Sequence, residues 1–501
     1  MNSALSRPAR RQEGSSESIL WAGVLAFAGA VALALAYVVP PETTGLYAWT
    51  AGLGLTLSVF AWACYRLHGG EFLTPGWIVV GLFGFFCVAR GLYLTFEPDA
   101  AELQVYRPVK DALALSQAVS LLALVSFMVG YFLFFPLQLA RSLPAPRTMP
   151  FVGPACAIAI VTVYVIANVA RWWAIQLGNY TKLSFAGRAD APVSGVILDV
   201  SFLALIAYLA ALAVGFRGSR WLLIVALVFM TPIELAFAVG TGFKAHLVLV
   251  ALAWLLAARA AGIRVTMRQL LAGVAAFIFV VTPIIHANRE AQYRLTGGGQ
   301  ATTDIAWQAV RDTPARLREI GPLDYASYGF TRLMNRTTSV ESVALAVKLT
   351  PGLRDFQYGR LYKEIVPAAL VPRQLWQGKL DVNALDADFT RDYAEAPYWQ
   401  TSVIGPTVTG DLYMNFGIAG VVAGWFLFAL LLRVFWEWLM ARGVGVAGSL
   451  IYFAVMAHAL RVETSVPSIM VEMIQALALA IAFVALLSVL SSRTDGTEAP
   501  A

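Results

Sequence analysis

Charge is scarce in this chain. Aspartate, glutamate, lysine and arginine make up 13% of the 501 residues, about half the ~25% of a soluble domain, which excludes an ordinary water-soluble fold. Cysteine is scarcer still. Cys64, Cys87 and Cys156 are the only three, and each falls inside an apolar run, so no disulfide staples an outer loop and no CxxC redox or zinc motif exists. The four histidines, His68, His246, His286 and His458, are scattered without HExxH spacing. No metal or other cofactor is expected. Internal repeats and low-complexity tracts are also missing. The formal net charge of +6 is an arginine excess in short connections, which speaks for membrane topology and surface attraction and not for nucleic-acid binding.

Apolar sequence is abundant, at 59% of the chain. About twelve runs of ~17–25 residues are long enough to cross a bilayer: 19–40, 46–67, 77–96, 113–139, 151–177, 194–216, 221–240, 245–258, 270–285, 411–433, 449–460 and 468–490. The first comes after Arg7, Arg10 and Arg11 and holds an Ala-Leu-Ala like a cleavage site, but its apolar run is too long for a signal peptide. The fold expected is therefore an all-α polytopic membrane protein. Connections carrying Arg141 and Arg147, Arg217 and Arg220, Arg259, Arg264 and Arg268, and Arg442 alternate with poorer ones. By the positive-inside rule both termini of this multi-pass protein are cytoplasmic. The chain then divides into a cytoplasmic segment 1–18, nine spans over 19–285, a large extracytoplasmic loop 286–409, three spans over 410–490 and a cytoplasmic tail 491–501.

Two stretches of that loop, 304–320 and 330–349, have helical periodicity. In the second, Arg332 and Arg336 stand one turn apart beside an apolar face of Phe330, Leu333, Met334, Val340 and Ala344, as in a helix that lies on the membrane or caps the bundle. "DAD" at Asp386–Asp388 has the form of a metal-binding DxD, but nucleotide sugars are cytoplasmic, so it is read as a coincidence. Ionisable residues inside spans point to function by default. Arg90, Arg171, Asp199, Glu234 and Glu472, with Asp411, Lys244 and His286 at helix ends, all fall in the outward halves of their spans. They either bridge helices, as Arg90 or Arg171 with Asp199 or Glu234, or together line a polar cavity under the loop. In "GDLYMNFGIAG" (Gly410–Gly420) a continuous helix puts Asp411 and Asn415 on one face, and Tyr413, Gly417, Gly420 and Gly424 on the other. The glycines then admit a neighbouring helix, and the polar face looks into the cavity. An interfacial start with an Asp/Asn cap is the plainer alternative.

"FTRLMNRTTSVESVALAV" (Phe330–Val347), "LVPRQLWQGKL" (Leu370–Leu380), "GDLYMNFGIAGVVAG" (Gly410–Gly424) and "VGTGFKAHLVLVAL" (Val239–Leu252) together resemble the Wzy-type O-antigen polymerases, a family of oligosaccharide repeat-unit polymerases. The likeness covers the second half of the chain. It departs at Gln377 and Leu380, where that family has proline, and at Lys244, where arginine is expected. The resemblance implies a glycosyltransferase that polymerises undecaprenyl-diphosphate-linked oligosaccharides into a surface polysaccharide at the outer leaflet of the bacterial inner membrane, with the bilayer and that lipid-linked glycan as its partners. A chain-length regulator is a further partner that the sequence cannot identify. The bond broken joins an anomeric carbon to diphosphate, so cations that stabilise the leaving group carry the chemistry. The resemblance makes Arg373, Arg289 and Asp411 the candidates for catalysis, with Asp411 as general base or acceptor positioner. Arg332, Arg336, Lys379, Lys244, Asn415, Tyr413 and Trp376 are the candidates for substrate binding. A flippase or transporter and an O-antigen ligase on the same scaffold are the rival readings.

Overall fold

The structure is a computed structural model that describes residues 38–494 apart from 103–104, 145–150, 152, 177–193, 242–243, 298–302, 322–323, 372–374, 377, 383, 397–403 and 444. Every regular element among these residues is helical. The apolar helices of the first part are α1 (Pro41–His68), α2 (Pro75–Phe96), α3 (Lys110–Phe132), α4 (Pro154–Gln176), α5 (Val196–Phe216), α6 (Arg220–Val239), α7 (Ala245–Ala260) and α8 (Met267–Thr296). Five helices come next, in the segment without spans: α9 (Thr303–Ile320), α10 (Asp324–Met334), α11 (Ser339–Leu349), α12 (Ile365–Leu370) and α13 (Ala384–Asp392). The chain closes with α14 (Thr407–Met440), α15 (Gly445–Ala459) and α16 (Val466–Ser491).

Among the described residues nine of these helices are long and apolar enough to cross a membrane, while α7 and α15 are shorter. The expected span 19–40 lies outside the described residues but for its last three. One boundary moves substantially. The run expected to end at residue 285 continues as helix to Thr296, so His286 is in mid-helix and buried. Among the described residues four helices contain a π turn, at Gly84–Ala89, Ala226–Met230, Phe277–Val281 and Trp436–Met440. Each inserted residue rotates the rest of its helix by roughly 100°.

α3 packs against α1 and α14, around the rings of Phe60, Phe127, Tyr131 and Trp425. The approach of α3 to α14 needs a glycine: a Cβ on Gly130 would sit 2.6 Å from the Phe426 carbonyl oxygen. α5 is the centre of the other group. It touches α4, α6, α7, α15 and α16, and its alanine-rich stretch Ala204–Ala213 is buried throughout, small side chains allowing close packing on several sides.

The helix expected over 330–349 is two helices, α10 and α11, separated at 335–338. Asn, Arg and two Thr stand there, and the Thr337 hydroxyl donates to the Leu333 carbonyl at 3.0 Å, a local bond that competes with helix continuation. The break sends the two halves to different places. α10 stays at the surface, with Phe330 edge-on to Tyr93. α11 is buried along its length except at Lys348 and wedges between α3 and α14, its Val, Ala and Leu side chains packed in the core and its buried Glu341 paired with Arg90.

Candidate functional site

α14 is not one straight helix. Gly417 has φ 62° and ψ −150°, a conformation essentially restricted to glycine, and the chain folds back on itself there. The indole N–H of Trp425 donates to the Thr409 hydroxyl at 3.0 Å, although in an unbroken helix sixteen residues would separate them by roughly 24 Å. The glycines expected to receive a neighbouring helix receive this returning segment instead. A Cβ on Gly420 would lie 2.5 Å from the Leu412 carbonyl oxygen, and one on Gly424 would meet the Leu412 side chain.

The half-helix before the break carries Asp411 and Asn415, which are 6% and 2% exposed. The expectation that they face an open cavity does not hold, because a strap of the preceding loop covers them. Asp411 Oδ2 accepts from the Tyr362 hydroxyl at 2.6 Å and from the Val466 N–H at 3.3 Å. Asn415 donates to the Asp411 carbonyl at 2.8 Å and accepts from the Gly359 N–H at 3.0 Å. Backbone bonds from Gln357 to Met414 and from Tyr358 to Asn415 complete the strap. Burial and the Asp411 carboxylate beside it push the Tyr362 phenol far above its usual range, so it stays a donor. Strained backbone flanks the contact: Tyr358 (φ 50°) and Thr407 (φ 64°) occupy the left-handed region, unusual for an aromatic and more so for a β-branched residue. Tyr413 packs near Phe356, ring centres 6.5 Å apart.

Beside this hub the ends of α5, α15 and α16 gather polar groups. His458 Nδ1 lies 3.1 Å from Glu472 Oε2, which also pairs with Arg461. His458 Nε2 is buried and has no hydrogen-bond partner among the described residues. Phe202 lies against the same imidazole, 5.1 Å between ring centres. One turn away on α5, Asp199 interacts electrostatically with Lys379, whose ammonium also donates to the Val371 carbonyl at 2.9 Å. The Trp376 carbonyl accepts from the Lys379 backbone N–H at 3.1 Å. Arg373, between these anchors, lies outside the described residues.

A second group forms where α8, α9 and α10 meet. Glu290 is its shared anion: Arg332 Nη2 lies 3.0 Å away, Arg316 Nη2 3.3 Å away, and the Tyr328 hydroxyl donates to it at 2.7 Å. Burial and this carboxylate raise the Tyr328 phenol to about 12. Arg336 stands on the turn after α10, exposed and without a carboxylate partner among the described residues. Its charged neighbours are cations, Arg289 on α8 and Arg332. Like charges so arranged favour an anion, and arginine suits phosphate because its fork donates two parallel hydrogen bonds. Lys244 stands in helical backbone directly before α7; its side chain lies outside the described residues.

The remaining charges are bridges. Arg171 pairs with Glu234 at 2.6 Å and His246 reaches the same carboxylate at 2.8 Å, which is one of the bridges expected. Arg90 pairs not with Asp199 or Glu234 but with Glu341 on α11, its Nε 3.1 Å from Oε1. Asp386 of "DAD" accepts from the Thr464 hydroxyl at 2.7 Å, while Asp388 pairs with Arg391. Among the described residues no group of three or more His, Cys, Asp or Glu is placed to hold a metal ion.

Sequence reasoning does not single out Tyr362, Glu290, Glu341 or His458 as site residues. Tyr362 is 49 positions from Asp411, and Thr338-x-x-Glu341 has the form of a capping box, whereas Glu341 is taken by Arg90. A family model described as Domain of unknown function (DUF8712) matches residues 84–441, and the chain belongs to that family. No curated protein and no solved structure matches it.

Proposed function

We propose that this family member is a glycosyltransferase that moves a glycan from a polyprenyl diphosphate carrier onto a second carrier-linked glycan, lengthening a surface polysaccharide. The observation that carries this reading is the grouping of Arg289, Arg332 and Arg336, in which Arg336 is exposed. In the proposed reaction an acceptor hydroxyl oxygen bonds to the anomeric carbon, and the diphosphate leaves with the electron pair of the broken bond. The arginines stabilise that growing charge. The hydroxyl proton passes to solvent water. Asp411 is not proposed as the base: its Oδ2 already accepts two hydrogen bonds, so its role is to hold the half-helix against the strap.

Arg336 is exposed, so Arg336→Ala is expected to leave the protein folded while slowing chain elongation ~10²–10³-fold. Arg336→Lys restores only part, since a point charge lacks the fork. Arg373→Ala is expected to behave alike. In cells, single repeat units then appear outside while long chains vanish. Long chains persisting at normal protein level would remove the arginine assignment. Units trapped on the cytoplasmic side would favour a flippase, and long chains stranded on the carrier a ligase.

For this chemistry residues 297–406 must face away from the cytoplasm. A cysteine at the exposed Asp388 is expected to react with a membrane-impermeant thiol reagent in cells with a permeabilised outer membrane, and one at the exposed Arg264 is not. The reverse pattern inverts the orientation.

A further inference from the structure

The segment after the strap carries apolar side chains that are exposed among the described residues. Val366 and Leu370 on α12 are 57% and 64% exposed, and Leu375 is 81% exposed. α12 is not a span. It is a short helix packed on the loop end of α16, and its inner side is closed by Ala368, which is fully buried. Large aliphatic groups so exposed on a non-spanning segment face either water, at a cost of roughly 1.5–3 kcal/mol per side chain relative to burial, or an apolar partner.

Two observations identify that partner. The first is continuity. Phe416, Ile418 and Leu427 are exposed on α14, and a membrane-crossing α14 presents such side chains to lipid. Phe416 touches Tyr362 edge-on, ring centres 5.8 Å apart, and Tyr362 begins the turn that leads into α12. The exposed apolar side chains of a lipid-facing span therefore meet, at Tyr362, the turn that carries the exposed apolar side chains of α12. The second is the flanking chemistry. Lys363 precedes the apolar residues and Trp376 comes after them. A lysine whose stem lies along apolar surface while its ammonium reaches headgroups, and a tryptophan at the same level, are what an interfacial segment carries.

We propose that Val366, Leu370 and Leu375 insert into the lipid leaflet at the loop end of the bundle, so that α12 lies in the membrane interface. The occupant of this surface is bilayer lipid. The consequence is positional: α12 and the turn before it are held at the depth of the lipid headgroups. This inference does not rest on the proposed glycosyl transfer, because it concerns how the chain meets the bilayer.

The test uses the full-length protein in liposomes, with no substrate. A single cysteine replaces Leu370 or Leu375 in a background with Cys64, Cys87 and Cys156 changed to serine, and carries an environment-sensitive fluorophore. With a quencher attached near the top of the lipid chains, both sites are expected to lose most of their emission, and to lose less with the quencher at the chain ends. The same label at the exposed Asp388 is expected to be unaffected. Unquenched, water-like emission at Leu370 and Leu375 overturns the proposal. So does blue-shifted emission that no lipid quencher reduces, which would mean that a second protein chain covers the patch. Because Leu375 is so exposed that a polar residue there does not threaten folding, Leu375→Asp provides a second check. It is expected to lower the emission shift at a label on Leu370, and an unchanged shift counts against insertion.

Discussion

Glu341→Ala is expected to destabilise the folded protein by about 3–5 kcal/mol, because it leaves the Arg90 guanidinium buried and unpaired. Arg90 is 0% exposed, as is Glu341, and beyond the carboxylate the guanidinium donates from Nη2 to the Ala100 carbonyl at 3.1 Å. The pair is itself incompletely satisfied, since Arg90 Nη1 and Glu341 Oε2 have no hydrogen-bond partner among the described residues. Replacing both residues together, Arg90→Met with Glu341→Leu, is therefore expected to recover most of the loss, because an apolar pair of similar volume has no desolvation penalty to offset. Thermal unfolding in detergent measures both. A single variant that unfolds like the parent would mean that water reaches Arg90, and α11 would then not seal the bundle as a wedge.

Gly417→Ala tests the break in α14 by sign. In a continuous helix, alanine for glycine stabilises by roughly 0.8–1.0 kcal/mol. At φ 62° and ψ −150° it instead destabilises by roughly 1–3 kcal/mol, and Asp411 loses its alignment with Tyr362. Gly420→Ala is expected to be at least as damaging, since the new methyl meets the Leu412 backbone oxygen at 2.5 Å and backbone cannot step aside. Gly424→Ala meets only the end of the Leu412 side chain, so a rotamer change relieves it and the effect is smaller. Stability ranked in that order supports the fold-back; equal, mildly stabilising effects would restore the straight helix.

The site is legible in the sequence only in part. The family resemblance puts Arg289, Arg332 and Arg336 among the candidates, and the three stand near one another in the structure, because α8 continues to Thr296 and so carries Arg289 out to α10. The facing of Asp411 is not legible. A period of 3.6 residues locates a face only while the helix is unbroken, and a positive-φ glycine resets it without altering the composition around it. The π turns have the same effect: Gly84–Ala89 lies directly before Arg90, and Ala226–Met230 lies just before Glu234, so each charge points where a plain helical wheel does not put it.

Composition and apolar run length by themselves determined that this is a helical membrane protein with a long segment outside its spans, because a bilayer demands continuous apolar stretches that nothing else in a sequence imitates. Which charges meet was decided only by tertiary structure. Arg90 and Glu341 are 251 residues apart, and Glu341 reaches Arg90 because α11, detached from α10 by the break at 335–338, is drawn between α3 and α14 by its own apolar surface. Pairing across such distances depends on where packed helices end up, and packing answers to the shape of every neighbour at once, which no local pattern of residues encodes.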